Sequence, residues 1–313
     1  MSLYLVTGGA GFIGSHLVDE LLRRGRRVRV LDNFLTGKRE NLAAVARDVE
    51  VLEGDLRDPE ACRRAAAGAE VVLHQAALPS VPRSVADPRL ANDINVSGTL
   101  NILLAARDAG ARRFVFASSS AVYGDSPELP KREGHEGRPL SPYAVSKFVG
   151  EKYAQVFHVL YGLSTVSLRY FNVFGPRQDP ASQYAAVVPL FVTRLLRGEP
   201  PAVFGDGEQS RDFTYVADVV SANLLAAETT RATGEVLNVA CGEGITVNRL
   251  AAEIASLLGS RVTPVHGPER PGDIKHSLAD ISKAGEALWF VPRTTLREGL
   301  EKTVAWYRER SAR

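Results

Sequence analysis

Leu3-Tyr4-Leu5-Val6-Thr7-Gly8-Gly9-Ala10-Gly11-Phe12-Ile13-Gly14 decides the fold of this chain. The apolar run reads as a buried strand, and Gly8-x-x-Gly11-x-x-Gly14 closes that strand and opens a helix. Gly8 allows the tight turn, Gly11 lets a diphosphate approach the backbone, and Gly14 lets helix and strand pack closely. The phosphates of a dinucleotide would sit at the positive end of the helix that Phe12 and Ile13 begin. Asp32 ends the next strand, 18 residues past Gly14. A carboxylate there bonds both hydroxyls of an adenosine ribose and repels a 2′-phosphate. Asn33 follows where an arginine would suit such a phosphate, so the expected cofactor is NAD.

Outward from this stretch, strands are expected at 3–7, 28–32, 49–53, 70–74 and 113–117, with helices near 12–24, 39–46, 59–67 and 92–109. Alternation of this kind needs crossover connections, hence a parallel sheet covered on both faces. A helix over 142–161, closed by Gly162, and a strand over 164–169 continue it. Beyond Asn172 the prolines at 176, 180, 189, 200 and 201 break the rhythm, and helical patterns recur near 185–197, 216–228, 246–258 and 294–309. The expected class is α/β: a Rossmann-type doubly wound parallel sheet over 1–172, then a smaller, mostly helical substrate-binding lobe over 173–313. Segments such as 213–240 can return to the main domain. The cleft between the two is the expected substrate site.

A chain of 313 residues with 45% hydrophobic residues can bury a large core. Its net charge of +2 gives no footprint for nucleic acid or an anionic membrane. Cys62 and Cys241 have no metal-ligand spacing, so neither a metal site nor a structural disulfide is expected. Met1 leads straight into the first strand, without a basic segment or a long apolar run, and a cytoplasmic protein is expected.

Chemistry enters at Ser141-Pro142-Tyr143-Ala144-Val145-Ser146-Lys147. Pro142 suits the first turn of a helix capped by Ser141, which puts Tyr143 and Lys147 on one face. An ammonium beside a phenol favours phenolate, a base for an alcohol proton near neutral pH. Such a pair also occurs on solvated helix faces. Upstream, Phe114-Val115-Phe116-Ala117 runs into Ser118-Ser119-Ser120, and a hydroxyl at a strand's carboxyl end is where open α/β sheets meet ligands.

Taken together, the motifs resemble the extended short-chain dehydrogenase/reductase family, and within it the nucleotide-sugar 4-epimerases. The matching residues are Thr7 to Gly14, Ser119 four residues before Tyr123, Tyr143 with Lys147, and Leu168-Arg169-Tyr170-Phe171-Asn172. The likeness continues through Gly205-Asp206-Gly207 and Arg211-Asp212-Phe213 to Ala279-Asp280-Ile281-Ser282-Lys283-Ala284, and so covers nearly the whole chain. It implies that phenolate Tyr143 takes the proton of the sugar 4-hydroxyl while the C4 hydride passes to NAD. The 4-keto sugar then turns and is reduced on its other face. Lys147 would keep Tyr143 ionised and hold the nicotinamide ribose, and Ser119 would bond the oxygen as its charge develops. Ser120 is the alternative within the serine triplet.

The resemblance also assigns cofactor contacts to Asp55 and Leu56, to Ala76 and Ala77, and to Asn95 and Tyr170. Asp55 can equally be a turn aspartate. On the substrate side it assigns Pro79, Ser84, Asn172, Val187, Val188, Arg270, Asp273 and Arg211, whose guanidinium fork matches phosphate oxygens. Ser277 falls where a bulky aromatic would restrict the pocket to plain hexoses; serine leaves room for an N-acetyl or other large substituent. UDP-N-acetylglucosamine is therefore an expected substrate, with UDP-glucuronate also open and plain UDP-glucose or UDP-galactose kept as an alternative. Family 4,6-dehydratases carry Asp-Glu just after the Ser/Thr, and decarboxylases a Glu two residues on. Here Ser120-Ala121 lacks that acid, which favours epimerisation over dehydratase, decarboxylase or reductase chemistry. A non-catalytic dinucleotide-sensing protein would not need the Ser–Tyr–Lys set. A homodimer through the helices near 92–109 and 142–161 is the family arrangement.

Overall fold

The computed structural model describes residues 2–135, 138–180, 186–269 and 274–311. Seven strands form the main sheet: β1 (Leu3–Thr7), β2 (Arg27–Asp32), β3 (Val49–Glu53), β4 (Val71–His74), β5 (Arg113–Ser119), β6 (Thr165–Tyr170) and β7 (Val236–Val239). Their order is β3-β2-β1-β4-β5-β6-β7, and every pair is parallel. The chain winds one way from β1 to β3 and the other from β4 onward, so a crevice opens at the carboxyl ends of β1 and β4.

Alternation along the strands explains why both faces are covered. Tyr4 and Val6, Val30 and Val115 point into one apolar cluster with Leu17, Val18 and Leu21 of helix Phe12–Arg23 and Val219 and Leu224 of helix Val216–Glu228. Leu3 and Leu5, Leu31, Phe114 and Phe116 point the other way. There they meet Cys62 and Ala65 of helix Pro59–Ala66, Ile102 and Leu103 of helix Gly98–Asp108, and Phe157 of helix Pro142–Tyr161. Each fully buried Leu, Val or Phe contributes about 1.5–3 kcal/mol, so the two clusters fix the sheet between its helical layers. A third cluster joins helices Val187–Leu196, Val247–Leu258 and Leu296–Ser311 through Phe191, Val192, Leu250, Ile254, Leu300 and Val304. Helix 216–228 and β7 lie late in the chain yet belong to the main sheet and its covering layer.

Two elements differ from the sequence expectation. The segment expected as a helix over 39–46 is a 3-10 turn, Arg39–Val45. The helix expected to begin near 92 begins at Pro88, capped by Asp87, whose carboxylate accepts from Leu90 N–H at 3.0 Å. It runs through a wider turn at Asp93–Ser97 into Gly98–Asp108. Among the described residues no helix is long and apolar enough to cross a membrane, and no cluster of His, Cys, Asp or Glu could hold a metal. Cys62 and Cys241 are free thiols.

Candidate active site

At the crevice lies a cavity of ≈ 830 Å³. Its walls include Gly8, Gly11, Phe12, Ile13 and Gly14 from the first turn, and Asp32, Asn33, Asp55 and Leu56 from the ends of β2 and β3. Ala76, Ala77 and Pro79 after β4, then Tyr143, Lys147 and Tyr170, complete it from the other side. The glycine turn is dictated by space. Gly8 has φ +68°, and a Cβ on Gly14 would meet Gly8 O at 2.1 Å. A Cβ on Gly11 would fill the approach to the turn, coming within 3.1 Å of Gly8 O. Helix 12–23 has Gly11 as its N-cap and no side-chain cap, so its first amides are left for an anion.

Asp32 is nearly buried, and its two oxygens accept from Ala10 N–H at 2.9 Å and Phe34 N–H at 2.8 Å. Burial pushes its carboxyl up and those two bonds oppose the push. Asn33 donates to Asp55 at 2.8 Å, and the Arg57 guanidinium holds Asp55 at about 2. An uncapped helix start, a glycine cradle that a Cβ would fill and an oriented carboxylate together fit a dinucleotide with a free ribose 2′-hydroxyl.

On the other side, helix Pro142–Tyr161 starts as its sequence dictates. Ser141 Oγ accepts from Ala144 N–H at 3.1 Å, Pro142 holds the first turn, and Gly162 ends the helix at φ 69°. Ser119 lies at the end of β5, where its hydroxyl accepts from Ala121 N–H at 3.2 Å and is near enough to the Tyr143 phenol to act on its ionisation. Lys147 Nζ donates to Ala117 O at 2.7 Å and lies 5.9 Å from the Tyr143 ring centre. Burial lowers its ammonium to about 8, and Glu151 opposes that shift.

Within the chain itself, two opposing effects act on the Tyr143 phenol. Burial raises the phenol, and Ser119 is what opposes the rise. The Lys147 ammonium donates to the Ala117 carbonyl.

Three other residues expected to contact ligand are buried in packing or hydrogen-bond roles. Ser84 is fully buried; its Oγ donates to Val81 O at 2.6 Å and accepts from Tyr143 N–H at 3.0 Å, so it holds the catalytic helix rather than lining the sugar side. Asn95 is buried and spends its amide on Leu78 N–H at 2.7 Å and on Ser146 Oγ at 3.0 Å, behind the cofactor wall. Val188 is a core side chain packed with Phe191.

The remaining substrate-side residues lie apart from the walls of this cavity. Ser120 opens the 3-10 turn Ser120–Tyr123, and Val187 is half-buried at the start of its helix. Asn172 is exposed at φ 28°, a strained conformation for a residue with a side chain. Arg211 donates to Ser210 O at 2.9 Å, and the same carbonyl accepts from Ser277 N–H at 3.0 Å, so Arg211 and Ser277 are neighbours. Arg270 and Asp273 lie outside the described residues.

The sequence reading missed a network on the cavity floor. Asn223 of helix 216–228 bonds the Tyr170 hydroxyl at 2.8 Å and the Gln75 amide at 3.0 Å. It also missed Lys38, paired with Asp179 at 3.2 Å; both line the cavity. Only the position of Lys38 just beyond Asp32 hinted at such a role.

Fold and site thus define a Rossmann-type, dinucleotide-dependent enzyme with a Ser–Tyr–Lys set. The chain belongs to the NAD dependent epimerase/dehydratase family, whose model matches residues 4–240. NAD is its cofactor. A UDP-glucose 4-epimerase of Mycolicibacterium smegmatis is 40% identical over 311 residues, covering 98% of this chain and 99% of that one. The structure of a UDP-N-acetylglucosamine 4-epimerase from Methanobrevibacter ruminantium, in complex with UDP-N-acetylmuramic acid, superposes with a TM-score of 0.95 at 44% identity over 99% of each chain. That of Thermus thermophilus UDP-glucose 4-epimerase with NAD gives 0.89 at 42% identity, covering 98% of this chain and 99% of that one.

Proposed function

We propose that this protein inverts C4 of a UDP-sugar, and that its preferred sugar carries a substituent larger than a hydroxyl. The observation that carries the reading is that Tyr143 and Lys147 line the cavity that the glycine turn and Asp32 begin, with Ser119 acting on the Tyr143 phenol from the end of β5. Bound NAD would supply the hydride acceptor, and then the donor, for C4. Tyr143 takes the proton of the 4-hydroxyl and later returns it. Ser119, which acts on the phenol, would bond the sugar oxygen as its charge develops. Lys147 supplies a fixed positive charge beside the ring. Ser84 holds the Tyr143 backbone, so the phenol has one position to work from. Asp32 selects NAD by meeting the ribose hydroxyls.

Arg211 would hold the diphosphate, and Ser277, half-buried beside it, would leave the sugar pocket open to an N-acetyl group or a carboxylate. With Ser120 and Ala121 after the catalytic serine, no side chain there can move the second proton that a dehydratase needs. The helix Pro142–Tyr161 leaves Val145, Val156, Val159 and Leu160 exposed, a face suited to a two-fold homodimer. Light scattering should give twice the chain mass.

The test is to incubate the purified protein, with no added cofactor, with UDP-N-acetylglucosamine, UDP-glucose and UDP-glucuronate, and to separate the products. Formation of a 4-epimer, fastest from one of the two substituted sugars, is expected. A stable keto or deoxy product would sink the epimerase reading, and a preference for UDP-glucose the reading of Ser277.

A further inference from the structure

We infer that Glu151, clamped between Arg169 and Ser118, is a positioning residue that keeps Lys147 charged and fixes the strand end bearing Ser119 against the helix bearing Tyr143. What the Ser–Tyr–Lys set does rests on the epimerase reading above; where Glu151 sits does not.

Glu151 follows Lys147 by one helical turn on the same helix, so the two share a face. It is fully buried, as is Arg169 on β6. The two carboxylate oxygens accept from Arg169 Nε at 2.8 Å and Nη2 at 2.7 Å, a two-pronged pair. Ser118 Oγ donates to the same carboxylate, and Ser118 both lines the cavity and precedes Ser119. Arg169 also lies 4.7 Å from the ring centre of Tyr123, whose hydroxyl donates to Asn238 of β7 at 2.7 Å. One buried carboxylate therefore joins β5, β6 and the catalytic helix, with β7 behind them.

Stability alone is a weak reason for such a pair, because apolar residues of similar volume often hold a core as well or better. The surroundings of Lys147 supply a better one. Its own helix presents Tyr143 and Glu151, β4 presents His74, and β5 presents the Ala117 carbonyl and the Phe116 ring. Arg169 of β6 faces Glu151. Burial and the Lys147 charge keep His74 neutral, and burial keeps the Tyr143 phenol up. Among the described residues, Glu151 is the anion that acts on Lys147 against its burial.

The chain has seven lysines, few enough for NMR of lysine labelled with 15N at the side-chain nitrogen, with K147M to assign the signal. This reading needs no sugar, so its outcome is separate from that of the epimerase assay. E151Q removes the buried carboxylate that faces Arg169 and can fail to fold. E151Q/R169M removes both charges and keeps an acceptor for Ser118. In folded E151Q/R169M the Lys147 titration should move down by about one pH unit, and the alkaline limb of kcat should move with it while KM stays. S118A keeps the ion pair; it should leave the Lys147 titration in place and lower kcat about tenfold through Ser119. A folded double variant whose Lys147 titrates as in the wild type would overturn the charge role. Full kcat in S118A would overturn the strand-fixing role.

Discussion

The two ends of the site are built by different means. At the cofactor end the backbone does most of the work: Gly8, Gly11 and Gly14 stand where a Cβ would collide or block, and Asp32 is held by two main-chain amides. At the sugar end the expected contacts are side chains on short strands and turns, among them Arg211 on Ser210–Asp212, Ser277 and the strained Asn172. A backbone cradle accepts one shape of ligand and tolerates almost no substitution. A set of exposed and half-buried side chains can be re-tuned one residue at a time, which is how one fold serves several sugars.

Substitutions should separate the two ends. Y143F removes the base and should lower kcat by about 10³-fold while NAD still copurifies, as read from the absorbance of the released cofactor. G14A should do the reverse: with a Cβ 2.1 Å from Gly8 O, the turn must open, and bound NAD per chain should fall at least about tenfold in whatever protein stays folded. S119A tests the join between the ends. It should cost about 10²-fold in kcat. Because Ser119 is what opposes the upward shift of the phenol, its loss raises the Tyr143 pKa, and the limb of kcat that rises with pH should move to higher pH.

How much of this could be read from the sequence follows the same division. The glycine turn, Asp32, the cap at Ser141 and the stop at Gly162 are local rules in which spacing alone fixes the geometry. Helix Pro88–Asn92 also had its signal, Asp87 before Pro88, but the apolar period of the longer helix drew the start toward residue 92. Ser84, Asn95 and Val188 sit where the resemblance puts ligand contacts, yet all three are buried, and burial is set by elements distant in the chain. The bond from Asn223 to Gln75 links residues 148 apart, which no local pattern could reveal.

Smaller effects are expected at the sugar end. R211A should raise KM for the UDP-sugar about tenfold or more with a lesser change in kcat, since a charge-assisted bond is worth roughly 1.5–3 kcal/mol. S277Y should narrow the pocket, lowering kcat/KM for UDP-N-acetylglucosamine about tenfold while leaving UDP-glucose nearly unchanged. An equal loss on both sugars would place Ser277 outside the sugar pocket.

The measurement closest to the central claim is the fate of hydrogen at C4. UDP-N-acetylglucosamine carrying deuterium at C4 would be turned over by the enzyme as purified, with no cofactor added, and the 4-epimer examined by mass spectrometry and NMR. An internal oxidation and reduction around Tyr143 predicts a product that keeps its deuterium at C4 and takes none from solvent. Loss of the label to water, or its appearance in NADH released to solution, would contradict that account.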